Sequence, residues 1–250
     1  MDLTEASWTD VADLETSLAL VPVGSTEQHG PHAPLGTDAM TAEAVAHAGA
    51  DAYGGQVAVA PTLPVGISEE HRQFPGTMWV SEDTFRRYVR EAATSLAPHG
   101  FDRLVFVNGH GGNSAALREV AGTITRHEDA YAVPFTWFDA VDLEKHANVR
   151  MGHAGPAETA LLRAARPETL KEDRMEEAQS GASDGWGEWS QRVNLAFDTA
   201  EFTENGVVGD PTETDTADGE ALLAAAADAL AALLETIAER DPSRPPRKDT

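Results

Sequence analysis

Three polar clusters in this sequence carry side chains that divalent metal ions bind. Their candidate ligands are Glu27, His29, Asp38, His110 and Glu158, and the third cluster also contains His153. Imidazole nitrogen and carboxylate oxygen are the donors that borderline divalent ions accept. Glu27 and His29 are two residues apart, so on an extended segment they share one side and can flank a metal centre. Asp38 could bridge two ions, which together polarise a carbonyl and supply hydroxide at neutral pH.

Each cluster follows a predicted strand or precedes a predicted helix. The predicted strands are 17–24, 56–66, 101–109 and 131–138. The predicted helices are 38–54, 81–100, 113–127, 156–167 and 219–240. This alternation favours an α/β fold with a mostly parallel sheet. Ligands of such folds bind outside the carboxyl ends of the strands, which is where the clusters fall.

The organisation of the chain indicates one domain. No internal repeat and no separating linker is visible, so residues 1–240 are predicted to form a single unit. The polar stretch 168–205 is predicted to be irregular, and the tail 241–250, DPSRPPRKDT, to be disordered.

The charge of the chain limits which kinds of molecule could bind to it. The formal net charge is -24, and lysine occurs only at Lys145, Lys171 and Lys248. Such an acidic, lysine-poor chain is typical of proteins adapted to high salt, where the repulsion between carboxylates is screened. A chain-wide anionic field argues against nucleic acid as a partner.

The sequence also excludes several sites and locations. It contains no cysteine, which excludes disulfides, thiolate zinc sites and a cysteine nucleophile. The acidic N-terminus shows no signal peptide. The longest apolar stretch, 221–238, is interrupted by Asp228 and Glu235, which predicts a helix of a soluble protein and no membrane span. We therefore expect a cytoplasmic protein.

The alternatives to a metal site are ordinary roles for residues in glycine-rich turns. A histidine near glycines is often a turn or hydrogen-bonding residue. NGHGGN could cradle a phosphate before a helix N-terminus, but it matches G-x-G-x-x-G only with Ser114 in the last place and lacks a clear acidic partner. Ser25 and Ser114 lack the context of a nucleophile elbow, which disfavours a serine hydrolase.

Five motifs together resemble the creatininase (creatinine amidohydrolase) family over about residues 18–235. They are VPVGSTEQHGPHAPLGTD, PVGISEEHRQFPGT, NGHGGN, HAGPAET and GVVGDPTETDTADG. The resemblance implies a three-layer α/β/α sandwich assembled as a homohexamer. It also implies hydrolysis of the C–N bond of a cyclic amide or formamide, a small-molecule substrate, at two divalent ions of zinc, manganese or iron. The predicted class is a metal-dependent hydrolase acting on C–N bonds other than peptide bonds.

The resemblance further implies roles for the metal ligands. Glu27 and His110 resemble the ligands of one ion, His29 resembles a ligand of the other, and Asp38 resembles the bridging carboxylate. Creatinine-hydrolysing members place a glutamate two residues after the NGH histidine, where this chain has Gly112.

The remaining motif residues complete the predicted site. Glu158 is expected to replace the missing glutamate as a ligand, and His153 resembles the residue that donates a proton to the leaving nitrogen. His32 and His71 are expected to orient the substrate or the side chains that hold the metal ligands in place. Asn113 is expected to cap its helix or hold substrate.

The substrate is less constrained. No tryptophan lies between Trp137 and His153, which disfavours creatinine, although Trp186 and Trp189 could form a lid or simply pack. Other family branches deformylate a formylaminopyrimidine ribonucleotide in archaeal flavin and deazaflavin synthesis, or trim a peptide in mycofactocin maturation. The high-salt composition favours the deformylase. The alternatives are creatinine hydrolysis, a two-metal phosphoesterase, for which only Arg72 offers a nearby cation, and a non-catalytic metal-binding protein.

Overall fold

The computed structural model describes residues 1–241, and its centre is a parallel four-stranded sheet. Its strands are β1 (Leu18–Val23), β2 (Ala58–Val59), β3 (Arg103–Asn108) and β4 (Tyr131–Thr136). Their order is β2-β1-β3-β4, and every pairing is parallel. Val23 pairs with Asn108, which pairs with Thr136, so three strands end together at one edge.

Helices surround this sheet, and a short hairpin follows late in the chain. The helices are α1 (Trp8–Ala12), α2 (Thr37–Ala52), α3 (Glu82–Thr94), α4 (Ser114–His127), α5 (Trp137–Ala140), α6 (Leu143–Ala147), α7 (Pro156–Ala165), α8 (Met175–Ser180) and α9 (Thr216–Ala238). Short 3-10 turns span Glu69–His71, Ala97–His99, Gly111–Asn113, Pro167–Thr169, Glu172–Arg174, Thr199–Glu201 and Pro211–Glu213. The antiparallel hairpin pairs β5 (Trp189–Ser190) with β6 (Val193–Asn194).

The sheet separates two apolar cores because successive side chains of a strand point to opposite faces. Leu20 packs with α2, α7 and α9 on one face. Val21 packs with Phe85 of α3 and Leu117 of α4 on the other. The predicted α/β/α arrangement around a mostly parallel sheet is therefore confirmed.

Some predicted boundaries were wrong. The segment predicted as a strand at 56–66 forms a regular strand only over β2, and beyond it Leu63 forms an isolated bridge with Val23. Pro61 and Pro64 interrupt the ladder, because proline cannot donate to it. The strand predicted at 131–138 ends at Thr136, where α5 begins. The stretch 168–205 is less irregular than predicted, because it contains α8 and the β5–β6 hairpin. Apart from Asp241, the predicted disordered tail lies outside the described residues.

Helix α9 is a core helix of this fold. Within residues 1–241 it is the one helix long and apolar enough to cross a membrane by length and composition. Leu222, Leu230 and Leu234 along it are fully buried in the core that also contains α2 and α7 residues.

The edge at which the strands end also receives the start of α2. A Cβ on Gly24 would stand 2.4 Å from the backbone nitrogen of Ala39, so the chain leaving β1 passes directly against the first turn of α2. Glycine is needed there because no side chain fits between the two backbones. Asp38, in that first turn, is thereby held beside the loop that carries Glu27 and His29.

Candidate metal centre

The five predicted metal ligands meet at this edge of the sheet, together with His153. They form three groups of buried side chains whose ligand atoms lie within 4.8 Å of one another. The groups are Glu27 with Asp38 and His110, His29 with Asp38 and Glu158, and Glu27 with His29 and His153. Residues far apart in the sequence thus converge because the loops after β1 and β3 and the start of α7 share this end of the fold.

Asp38 belongs to two of these groups. Its Oδ1 lies 3.1 Å from Nε2 of His29, and its Oδ2 lies 3.1 Å from Nδ1 of His110. One carboxylate therefore faces a different imidazole with each oxygen, which is the geometry a carboxylate between two ions requires.

Backbone carbonyls fix the imidazole tautomers. Nε2 of His110 lies 2.6 Å from the carbonyl oxygen of Ile67, and Nδ1 of His29 lies 3.1 Å from that of Glu27. A carbonyl oxygen only accepts, so each of these nitrogens carries the hydrogen. The opposite nitrogens, Nδ1 of His110 and Nε2 of His29, are left to face the centre as metal-binding histidines do.

Several of these ligand atoms have no hydrogen-bond partner among the described residues. The orphaned buried atoms of the centre are Oε1 and Oε2 of Glu27, Nε2 of His29 and Oδ2 of Asp38. Buried polar atoms, and charged ones above all, are costly without a partner. A cation between them would satisfy all four. The residues present therefore fit divalent ions, and their nitrogen and oxygen donors suit zinc, manganese or iron.

Charge coupling within the cluster is strong. Burial opposes ionisation of Glu27 and Asp38, but the imidazoles of His110 and His29 outweigh it and lower the pKa of both carboxyls. Burial likewise opposes a charge on His29, but Asp38 and Glu158 outweigh it and raise its pKa to about 10. Without metal, the imidazoles thus hold the protons that neutralise the carboxylates, and bound cations would displace them.

Glu158 reaches the position left open by Gly112. A Cβ on Gly112 would lie 2.5 Å from Nε2 of His110 and from the oxygen of Ile67, so no side chain fits there without breaking their hydrogen bond. Glu158, in the first turn of α7, places Oε2 3.8 Å from Nε2 of His29. The same oxygen accepts a hydrogen bond from the backbone N–H of Ala154 at 2.6 Å. Burial raises the pKa of Glu158 to about 7.

His153, predicted as the proton donor, lies directly against the ligand cluster. Its Nε2 donates to the carbonyl oxygen of Gln28 at 2.7 Å, and its Nδ1 lies 3.6 Å from Oε1 of Glu27. Burial, reinforced by the neighbouring imidazoles of His29 and His71, lowers its pKa well below the usual value. The free nitrogen of a neutral His153 therefore faces the centre without a proton.

His71, predicted to orient substrate or a neighbouring group, stacks on His153 with ring centroids 4.3 Å apart. Its Nδ1 accepts from the amide of Gln28 at 2.8 Å and from the hydroxyl of Thr199 at 3.0 Å. Its Nε2 lies 3.4 Å from Oε1 of Glu27. His71 is part of the cavity wall, and it also supports a ligand.

The structure places His32 and Asn113 differently from the predicted substrate contacts. His32 is fully buried with Nε2 3.0 Å from the hydroxyl of Thr159, and it is not among the residues that line the cavity described below. Asn113 accepts from the backbone N–H of Ile67 and donates to the carbonyl of Gly24, both at 3.0 Å. Its side chain does not cap α4. Asn113 holds two loops together through these hydrogen bonds, whereas His32 is buried away from the cavity and its Nδ1 has no hydrogen-bond partner among the described residues.

A cavity of about 340 Å³ opens onto the centre. Its walls are formed by Glu27, Glu70, His71, His110, Gly111, Gly112, Phe138, Met151, Gly152, His153, Glu158 and Trp186. A larger cavity of about 750 Å³ shares Met151, Gly152 and Trp186 with it. Trp186 lies edge-on to His153 at 6.1 Å, whereas Trp189 is 63% exposed and lines neither cavity.

Sequence reasoning missed two residues of the site. Gln28 lies between two ligands, and its amide donates to His71 and, at 3.0 Å, to the carbonyl of Gly206. The alternation of an extended segment could have indicated that it points away from its neighbours. Glu70 lines the cavity, but the sequence Glu69-Glu70 does not tell which of two adjacent carboxylates faces inward.

Comparison with known proteins identifies the family. The family model for creatininase, described as creatinine amidohydrolase, matches residues 4–234. A mycofactocin precursor peptide peptidase of Mycolicibacterium smegmatis is 37% identical over 213 residues, which are 83% of this chain and 80% of that protein. The corresponding protein of Mycobacterium tuberculosis H37Rv is 34% identical over 84% of this chain and 81% of its own. A creatinine amidohydrolase of Pseudomonas putida is 30% identical over 62% and 67%.

Solved structures share the fold. A creatinine amidohydrolase (creatininase) superposes with a TM-score of 0.80 at 23% identity, covering 96% of this chain and 98% of that one. A structure described as creatininase Mn gives a TM-score of 0.82 at 23% identity over 96% and 99%. The predicted enzyme class, a metal-dependent hydrolase acting on C–N bonds other than peptide bonds, is confirmed by these relationships. With its family match, its relatives and its buried metal-competent cluster, the chain belongs to the creatininase family of amidohydrolases.

Proposed function

We propose that this protein hydrolyses an amide C–N bond with the help of two divalent metal ions. The proposed ligands are Glu27, His29, Asp38, His110 and Glu158. The observation that carries the proposal is the position of Asp38, whose two oxygens each face a different imidazole within a separate ligand group. The oxygens of Glu27 support it, because both are buried without a hydrogen-bond partner among the described residues, and a cation would satisfy them.

Each side chain has a defined task in this proposal. Glu27 and His110 would hold one ion, His29 and Glu158 would hold the other, and Asp38 would serve both groups. Bound divalent ions supply Lewis acidity toward a carbonyl oxygen and lower the pKa of water. Phe138, Met151 and Trp186 give the cavity an apolar wall, which limits water around the reacting amide.

We infer that the substrate is a short precursor peptide, which would extend the C–N hydrolysis of the family to an amide bond within a peptide. Relatives at 34–37% identity over most of their length are named mycofactocin precursor peptide peptidases. The cavity of about 340 Å³ is joined at Met151, Gly152 and Trp186 by a second of about 750 Å³. A substrate that extends beyond the scissile amide can use both spaces, whereas a formamide or creatinine needs only the smaller one.

The predicted formylaminopyrimidine deformylase and creatinine hydrolase remain alternatives within the same chemistry. A phosphoesterase is less well supported, because the described residues that line the smaller cavity include neither lysine nor arginine. Arg72, the nearest cation in the motif loops, is engaged with Asp198 at 2.7 Å. The oxygens of a phosphoryl group would therefore contact the metal ions but no lysine or arginine side chain of the cavity wall.

A substrate panel tests the proposal. Metal-free protein is loaded separately with zinc, manganese and iron(II) in multimolar KCl. It is then offered short peptides, the formylaminopyrimidine nucleotide, creatinine and a phosphoester. We expect turnover of a peptide amide and its loss in Asp38→Asn. Turnover of the phosphoester alone would reject amide hydrolysis, and no turnover with any metal would favour the non-catalytic alternative.

We also propose that the protein is adapted to high salt. The net charge of -24 with three lysines supports a high-salt environment, and the panel therefore uses KCl. The homohexamer and the cytoplasmic location stay predictions drawn from the sequence.

A further inference from the structure

Gln28 contacts both of the imidazoles that stack beside the metal-binding cluster. Its side-chain amide nitrogen lies 2.8 Å from Nδ1 of His71, and its backbone carbonyl oxygen lies 2.7 Å from Nε2 of His153. The two rings stack with centroids 4.3 Å apart, and both line the smaller cavity. A single residue between the proposed ligands Glu27 and His29 therefore bonds to both rings.

Two backbone groups fix the orientation of the Gln28 amide. Its Oε1 accepts from the N–H of Gly30 at 2.9 Å, and its Nε2 donates to the carbonyl of Gly206 at 3.0 Å. Exchanging the oxygen and the nitrogen would place donor against donor at Gly30 and acceptor against acceptor at Gly206. The group that faces Nδ1 of His71 is therefore an N–H.

This N–H determines the tautomer of His71. A ring nitrogen that accepts a hydrogen bond carries no hydrogen, so the hydrogen of the neutral ring is on Nε2. The hydroxyl of Thr199, 3.0 Å from the same Nδ1, can donate or accept and does not determine the tautomer by itself. His153 is the reverse case, because its Nε2–H donates to the carbonyl of Gln28 and its Nδ1 is left without a hydrogen.

The hydrogen on Nε2 excludes His71 as a metal ligand. This nitrogen lies 3.4 Å from Oε1 of Glu27, almost as near as Nδ1 of His110, which lies at 3.2 Å. A ligating imidazole nitrogen must offer a lone pair, and Nε2–H of His71 has none. Oε1 of Glu27 has no hydrogen-bond partner among the described residues, so it is an acceptor available to this N–H.

We propose that Gln28 is a positioning residue that holds His71 as a hydrogen-bond donor toward the carboxylate of Glu27. The assignment rests on the proposed metal ligation by Glu27 and is independent of the substrate. Outer hydrogen bonds of this kind orient a ligating carboxylate. The stacked pair then presents opposite groups to the centre, an N–H from His71 and, from His153, a lone pair that can take up and pass on a proton.

NMR spectroscopy of the metal-free wild type reads the tautomers directly. Spectra that correlate the imidazole nitrogens with the ring hydrogens show which nitrogen of each ring carries the proton. We expect a proton on Nε2 of His71 and a bare Nδ1. A proton on Nδ1 of His71 would overturn the assignment, and this result depends on no variant.

Gln28→Glu tests whether residue 28 determines the tautomer. A carboxylate only accepts, so we expect a proton on Nδ1 of His71, whereas His153 keeps its tautomer because the backbone carbonyl is retained. Gln56→Glu is the control, since it adds the same charge at an exposed residue whose side-chain oxygen accepts from the N–H of Glu15. It should leave both rings unchanged. A bare Nδ1 of His71 in Gln28→Glu would overturn the role of Gln28.

Zinc titration distinguishes a donor from a ligand at residue 71. His71→Leu should still bind two ions per chain, but the affinity of the Glu27 site should fall by about 10–100-fold, as on loss of other outer contacts. His71→Gln, whose amide can supply an N–H, should recover part of that affinity. Loss of one ion from His71→Leu would make His71 a ligand and overturn the donor role, as would wild-type zinc affinity.

Failure of this inference can be told from failure of the proposed function. If the wild type binds no zinc, the proposed metal-dependent hydrolysis fails, and the support of Glu27 by His71 fails with it. If zinc binds and the proton of His71 is on Nδ1, only the inference about Gln28 and His71 fails.

Discussion

The imidazole of His110 fills the space in which a side chain at Gly112 would begin. A Cβ there would stand 2.5 Å from Nε2 of His110, closer than any real contact allows. His110 can therefore keep its hydrogen bond to the carbonyl of Ile67 only if residue 112 has no side chain. The carboxylate that completes the second ligand group comes instead from Glu158, on another element.

Gly112→Ala should displace His110 and weaken the first metal site. The added methyl would break the hydrogen bond that fixes the ring, and loss of such an outer contact costs about 10–100-fold in metal affinity. Titration of metal-free protein with zinc measures the effect. Gly111→Ala is the matched control, because a Cβ there meets nothing within 4 Å. Equal affinities of the two variants would contradict the packing argument.

Asp38→Asn should abolish the binding of both ions, whereas Glu158→Gln should cost one. Asp38 serves two ligand groups and Glu158 serves one, so their effects on stoichiometry differ. Metal content after dialysis against a weak chelator distinguishes them. Glu43→Gln, on the same helix as Asp38 but paired with Arg166 and 38% exposed, should keep full occupancy. Retention of two ions in Asp38→Asn would remove its bridging role.

The metal-free protein should lose stability as the pH rises from 7 to 10. His29 has a usual pKa of 6.5 that the fold raises to about 10. Its contribution is fully present below pH 6.5 and is lost as the pH rises through about 10. The free energy of unfolding should fall by on the order of 1 kcal/mol per pH unit for each such proton.

Urea unfolding at pH 7 and pH 9.5, with and without bound metal, measures this dependence. The metal-loaded protein should show a much smaller slope over that interval, because its ligands are already deprotonated. Identical slopes for the two forms would show that His29 does not carry the proton in the metal-free protein.

Asn113→Ala should unfold the protein more readily without a selective effect on substrate binding. The change leaves the buried N–H of Ile67 and carbonyl of Gly24 without their partner, at a cost of about 2–3 kcal/mol. Denaturant unfolding gives the free energy, and kinetics on the best substrate give KM. A raised KM at unchanged stability would restore the predicted substrate contact.

The segment around the β5–β6 hairpin should mediate self-association. Trp189 and Phe197 are 63% and 86% exposed, and clustered apolar exposure of this kind marks contact surfaces. Trp189→Ser should reduce the mass measured by light scattering in high salt. Trp8→Ser, which removes an 82% exposed side chain from α1, is the control and should leave the mass unchanged. A wild-type protein that is monomeric would reject both this surface and the predicted hexamer.

Much of the fold could be predicted from local pattern. The apolar run LALVPV predicted a buried strand, and Ser81 predicted the start of a helix. β1 and α3 form where they were expected. The strand predicted at 56–66 was too long, because apolar composition does not show how far a neighbouring strand can pair. The strand predicted at 131–138 was also too long, because Trp137, a residue type common in strands, begins α5 instead and is buried there.

The site was predictable to the extent that its chemistry is local. Metal-binding residue types at strand ends indicated most of the side chains that meet in the three ligand groups, and the family resemblance added Glu158 in place of a side chain at Gly112. The sequence could not show which polar side chains form their hydrogen bonds with other buried groups and which face the cavity. His32 and His29 look equivalent in sequence, and only the fold turns one toward Thr159 and the other toward the centre.

Gln28 ties the ligand loop to a distant part of the chain. It sits between Glu27 and His29, its carbonyl accepts from His153, and its amide donates to the carbonyl of Gly206. If metal binding at the centre fixes Gln28, it should also stabilise the segment near Gly206, and each process would favour the other by the same free energy. The amide of Val208, bonded to the carbonyl of His153, should then exchange its hydrogen more slowly when metal is bound, which makes a backbone group outside the ligand set a reporter of occupancy.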